Sequence, residues 1–124
     1  MYFMGDIEIL IVREPIELTI LSPLTRAWHE TLLKGAADVK RGTIALGGEW
    51  HMDANTVLIA DGSDQRDVWG FNIYPDERGE GALEFISLIN IRPRQGNIAM
   101  ELTDEALRRE IRSLIRTLIP DLGL

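Results

Sequence analysis

Apolar residues recur along this chain in two rhythms, alternation in some stretches and a three-to-four spacing in others, and the two divide it into strands and helices. Ile7–Val12 is β-branched and partly alternating, which predicts a first strand, and Glu14-Pro15 ends it. Ser22-Pro23 predicts a helix start, with serine as the cap and proline pre-set for the first helical position. Leu24, Trp28 and Leu32 would line one face of that helix before Gly35 stops it. Residues 16–21 fit a strand or an extra helical turn equally. Residues 36–40 and 43–50 predict a hairpin turning at Arg41-Gly42. Residues 54–60 predict a short helix with Asp53 as cap and Gly62 as left-handed stop. Residues 68–74 and 83–92 predict a second hairpin across the polar loop 75–81, with a register that the pattern leaves open.

The final helix carries the clearest signal. Thr103 is placed to cap it, and Asp104 and Glu105 in its first turn complement the helix dipole. Leu107, Ile111, Leu114, Ile115 and Leu118 form an apolar stripe, and Pro120 closes the helix. The order of elements predicts an α+β fold: a single domain over residues 1–124, with a mainly antiparallel sheet of about five strands, two longer helices and one short one.

Composition narrows the picture. A chain of 124 residues with 45% apolar content can bury a sizeable core without a metal or a disulfide. There is no cysteine, hence no disulfide framework, thiolate zinc site or thiol nucleophile. The first six residues lack the basic start and apolar run of a signal peptide. The longest stretches free of charged residues, 18–25 and 68–75, are eight residues each, too short to span a bilayer as a helix. A soluble, cytoplasmic protein without a membrane partner is expected. The net charge of −7 argues against nucleic acid as a partner, although eleven of the thirteen cations are arginine and keep a local anion site in play.

Two segments carry candidate chemistry. In Gly47-Gly48-Glu49-Trp50-His51-Met52-Asp53, the residues Glu49, His51 and Asp53 alternate, and on a strand they would share one face. Those side chains suit a divalent metal, and a Glu-His pair suits general acid and base work. The plainer reading makes Asp53 a cap, Glu49 a solvated carboxylate and His51 a partner of backbone. The second segment, Asn90-Ile91-Arg92-Pro93-Arg94-Gln95-Gly96-Asn97, is a donor-rich loop suited to a carboxylate or phosphate. Arg92 pairs internally with Glu84 or Glu49, or else it is half of a binding site. Asp61-Gly62-Ser63-Asp64 reads as a turn, and Gly70 between Trp69 and Phe71 as a packing glycine. Arg108, Arg112 and Arg116 read as a solvated helix face interspersed with Glu105 and Glu110.

The function expected from these residues is a binding or regulatory module. Its polar sheet face, built from Glu49, His51, Asn72, Glu84, Asn90, Arg92 and Arg94, would take a small polar or anionic ligand or a partner segment, with no cofactor required. The rival is a metal-dependent, hydrolase-like enzyme in which Glu49, His51 and Asp53 hold a divalent cation and Arg92 or Arg94 orients an anionic substrate. A third reading is a homodimer formed through the apolar stripe of the last helix.

The sequence of motifs Gly47-Gly48-Glu49, His51-x-Asp53, Asp61-Gly62-Ser63, Asp67-x-Trp69-Gly70, Glu84-Phe85 and Ser87-Leu88-Ile89-Asn90-Ile91-Arg92-Pro93-Arg94-Gln95 resembles domain-of-unknown-function family 5674, a family of small prokaryotic proteins. The resemblance covers residues 38–115, and its most specific part is the Ser-Leu-Ile-Asn-Ile-Arg-Pro block. It implies a single-domain, stand-alone protein. It carries over no activity, cofactor or catalytic residue. Trp50 and Thr56 depart from it, standing where a smaller residue and an acidic or alanine-like one are expected.

Overall fold

A computed structural model describes residues 2–4 and 7–124, the first few of them as backbone only. Six strands form one antiparallel sheet: β1 (Tyr2–Met4), β2 (Ile7–Val12), β3 (Leu33–Asp38), β4 (Thr43–Gly47), β5 (Val68–Ile73) and β6 (Leu83–Glu84). Their order across the sheet is β1-β2-β4-β3-β5-β6. Three helices complete the α+β fold: α1 (Leu21–Trp28), α2 (His51–Ala60) and α3 (Glu105–Leu118). No helix among the described residues is long and apolar enough to cross a membrane.

The sheet is covered on both faces, and side-chain size decides what covers each. Leu33, Ala37, Ile44, Leu46, Trp69, Phe71 and Ile73 point to one side and share a core with Leu21 and Leu24 of α1 and Ile111, Ile115 and Leu118 of α3. Ile111, Ile115 and Leu118 of the expected stripe are therefore internal, with Leu107 and Leu114 partly buried beside them. Ala36, Ala45 and Val68 point to the other side, where their small size lets α2 settle closely through Ala54, Val57 and Leu58.

The first hairpin forms where expected, between β3 and β4, with Asp38 opposite Thr43. The Asp38 carboxylate accepts the amides of Lys40 and Arg41, both at 3.0 Å, and Gly42 takes the positive φ of 65° that the turn needs.

Several boundaries differ from the sequence reading, each for a physical reason. Residues 18–20 form a 3-10 turn that runs straight into α1, so the helix starts at Leu21 with no side-chain cap and Ser22 lies inside it. The helix ends at Trp28, before Glu30 takes φ 59°, which leaves Leu32 outside it. Gly35 is a strand residue and not a helix stop. A Cβ there would lie 2.6 Å from the Phe71 ring and 2.9 Å from the Ala45 carbonyl, so the strand admits only glycine. Asp104, not Thr103, caps α3, accepting the amides of Ala106 and Leu107 at 3.0 and 3.1 Å. Thr103 instead donates to the Asn97 side chain.

The largest correction concerns residues 83–92, which do not form one long strand. Backbone pairing with β5 stops after Glu84, and the chain turns through 3-10 segments at Leu88–Asn90 and Pro93–Gln95. The Asn90 carboxamide replaces the missing strand. Its Nδ2 donates to the Gly70 carbonyl at 3.0 Å and its Oδ1 accepts the Gly70 amide at 2.8 Å. Gly70 makes room for this departure, since a Cβ there would meet Ser87 at 2.6 Å and Ile89 at 2.9 Å.

Candidate functional site

The alternating acid-imidazole-acid segment is not a strand face. Gly47 and Gly48 adopt φ of 114° and 91°, β4 ends, and α2 begins at His51. Glycine is required at 48 on a second count, because a Cβ would lie 2.8 Å from that of Asp53. Asp53 sits in the first turn of α2 and reaches back to accept the Trp50 amide at 2.9 Å, so it closes the helix start from within rather than preceding it. Glu49 offers its backbone carbonyl to His29 Nε2 at 2.8 Å. The shared face on which the metal reading rested is absent, and among the described residues no three His, Asp or Glu side chains converge to hold an ion.

His51 has a different set of partners. The antiparallel register places Lys34 of β3, Asn72 of β5 and Glu84 of β6 side by side in one row on the α2 face. Asn72 Nδ2 donates to Glu84 Oε1 at 2.8 Å and to the Ile86 carbonyl at 3.2 Å. That fixes the amide, turning its Oδ1 towards His51 Nε2 at 2.7 Å. An amide oxygen can only accept, so His51 carries its proton on Nε2 and, when neutral, keeps Nδ1 as the lone-pair nitrogen. Tyr74 adds a hydrogen bond to Glu84 Oε1 at 3.1 Å, and burial together with that carboxylate raises its phenol above the usual range. Burial lowers the His51 imidazole below its ordinary value, and the nearby Lys34 and His29 push the same way against the Asn72 and Phe71 hydrogen bonds.

Arg92 pairs with neither Glu84 nor Glu49. Its guanidinium donates to the carbonyls of Ile89 (2.9 Å), Gln65 (2.7 Å) and Val68, and it stacks 4.2 Å over the Trp69 ring. Burial lowers its pKa. This arginine is a clamp holding the 85–97 excursion onto the end of β5. Arg94 is exposed on the same loop, away from the row. The structure thus joins His51, Asn72 and Glu84, uses Asn90 and Arg92 as scaffold, and leaves Glu49 and Arg94 outside.

A groove of about 480 Å³ opens beside the row. Lys34 and His51 supply its polar lining, Trp50 and Met52 come from the start of α2, and Ser87, Leu88, Ile89 and Met100 form the opposite wall. The Lys34 ammonium lies 5.2 Å over the Trp50 ring. Among the described residues, no carboxylate lies within salt-bridge distance of Lys34. Sequence reading missed Lys34 and the apolar wall, because only the register Lys34, Asn72, Glu84 and the excursion after Glu84 bring them together. Trp50 and Met52, close together at the helix start, are both exposed.

The chain matches a family model described as a protein of unknown function (DUF5674) over residues 10–118. The chain belongs to DUF5674. No curated protein and no solved structure matches it. The DUF5674 match runs from β2 to the end of α3 and contains every residue lining the groove.

Proposed function

We propose that this protein is a binding module whose site is the groove between the start of α2 and the 87–100 segment, and that it takes a small molecule with an apolar body. One observation carries this reading: an apolar-walled groove of about 480 Å³, within the range of small-ligand sites, with a lysine and a neutral imidazole as its convergent polar groups. A second cleft, of about 260 Å³ beside α1, is lined by charges of both signs, Arg26 and Arg78 with Glu30 and Asp76, and offers no comparable apolar wall. The groove has apolar walls left open to solvent: Trp50 is 58% exposed, Met52 53% and Leu88 67%. We also propose a cytosolic location, with which a chain that needs no disulfide is compatible.

The uncharged fluorophore N-phenyl-1-naphthylamine tests the groove directly. Saturable binding at one site per chain is expected, weakened at least tenfold by Leu88→Asp, which puts a carboxylate on the wall at a position exposed enough to leave the fold intact. Absence of saturable binding, or binding indifferent to Leu88→Asp in a variant with an unchanged melting temperature, would refute the proposal.

A further inference from the structure

We infer that the ligand is a monoanionic carboxylate with an aromatic or branched apolar body, its carboxylate on the Lys34 ammonium and its body between Trp50 and Leu88. This inference rests on the groove being a binding site, and it adds what the groove selects. Among the described residues, Lys34 is the only cation lining the groove. On its own strand it is flanked by Leu33 and Gly35, and across the sheet it sits beside Asn72, whose amide is already committed to His51, Glu84 and Ile86. The nearest acid in the row, Glu84, stands two strands away, roughly 10 Å at ordinary strand spacing. Trp50 gives the ammonium its present contact through the ring face, which a full negative charge outcompetes.

The same surroundings limit the anion to one charge. Asp53 already occupies the amide end of α2 with its own carboxylate, accepting from Trp50 N, so the helix start offers a second anion little. Burial, helped by the nearby Lys34 charge, lowers the His51 pKa from its ordinary value against the pull of its Asn72 hydrogen bond, so near pH 7 the imidazole contributes no second positive charge. A phosphate dianion would meet one cation and leave its second charge against an apolar wall; a carboxylate has only the one charge for that cation to match. The body is bounded by Met52, Leu88 and Met100, flexible or branched side chains that accommodate a flat ring system.

A matched set of probes decides it: 1-naphthaleneacetic acid, its neutral amide 1-naphthaleneacetamide and 1-naphthyl phosphate, each displacing N-phenyl-1-naphthylamine from the full chain. The acid is expected to displace at a concentration at least tenfold lower than either other probe. That advantage should collapse in Lys34→Met and persist in Lys34→Arg, with potencies taken relative to each variant's own fluorophore affinity and an unchanged melting temperature as the check on folding. Equal potency of acid and amide, failure of the acid to displace, or an acid advantage that survives Lys34→Met overturns the carboxylate assignment while leaving the groove reading standing. A tighter phosphate overturns it in favour of a dianion. Loss of fluorophore binding in the unmodified protein is the separate failure of the groove reading.

Discussion

The side chain of Asn90 stands in for a strand, and this can be tested by removing it. Asn90 is fully buried, and its carboxamide makes the two hydrogen bonds, at 2.8 and 3.0 Å, that Gly70 would otherwise exchange with a neighbouring strand. Asn90→Ala leaves one buried amide and one buried carbonyl of β5 without partners. Each such orphan costs about 1–3 kcal/mol, so the expected loss is about 2–6 kcal/mol, a large part of the roughly 5–15 kcal/mol that holds a domain of this size. Equilibrium urea unfolding followed by tryptophan fluorescence measures it. Asn90→Asp sharpens the test, because it keeps an acceptor for the Gly70 amide and sets a carboxylate against the Gly70 carbonyl. Protonation turns that clash back into a hydrogen bond, so the buried acid titrates above its unfolded value of about 3.9. The sign follows: Asn90→Asp should be nearest to the parent protein below about pH 4 and lose stability as pH rises through the folded-state pKa. A loss under about 1 kcal/mol for Asn90→Ala, or an aspartate variant with no such pH dependence, would show that β5 is satisfied some other way.

Four further outcomes can be measured. The buried His51 imidazole has its pKa lowered from 6.5, so the unfolded chain takes up the proton first; stability should fall as pH drops below about 6.5 and level off beneath the folded value, and His51→Gln should flatten that slope in urea midpoints taken from pH 8 to 5. An identical slope in the variant would show that His51 does not set it. Arg92→Lys loses the planar fork that reaches three carbonyls and should cost about 1–3 kcal/mol without altering fluorophore binding; a binding defect at unchanged stability would return Arg92 to the site. Gly35→Ala should cost about 1–3 kcal/mol through collision with Phe71 and the Ala45 carbonyl, readable as a lowered melting temperature, and a neutral result would mean that β3 and β5 can separate there. Asp53→Ala should cost about 0.5–2 kcal/mol by freeing the Trp50 amide, and Asp53→Asn should recover most of it; no recovery would point to charge rather than capping.

Much of the fold was legible in the pattern of residues. Ile7–Val12, the turn at Arg41-Gly42 and the apolar stripe of α3 follow from local periodicity and turn chemistry, and these local signals survive into the structure. What failed was any inference that needed a neighbour. Gly35 looks like a stop when the chain is read along its length, and only the Phe71 ring opposite explains it. Residues 83–92 alternate well enough for a strand, yet a side-chain amide at Asn90 offers β5 the same two hydrogen bonds as backbone and frees the chain to turn away.

The acid-imidazole-acid segment shows how the site was half visible. Its residue types did mark the right place, since His51 ends up over the sheet, but two consecutive glycines with positive φ convert the expected strand face into a helix start. Once the chain turns there, Asp53 is drawn to the Trp50 amide and Glu49 to His29, and the imidazole is left to find its partner on the sheet. That partner, Asn72, is held by Glu84, and across the same register lies Lys34, a single cation in a strand otherwise made of small or apolar residues up to Asp38. The same departure of the chain after Glu84 that ends the sheet also carries Leu88 and Met100 round to face Trp50 and Met52. The groove is thus a product of the broken strand: had residues 83–92 continued along β5, the sheet would have one longer edge and Lys34 no apolar wall opposite it.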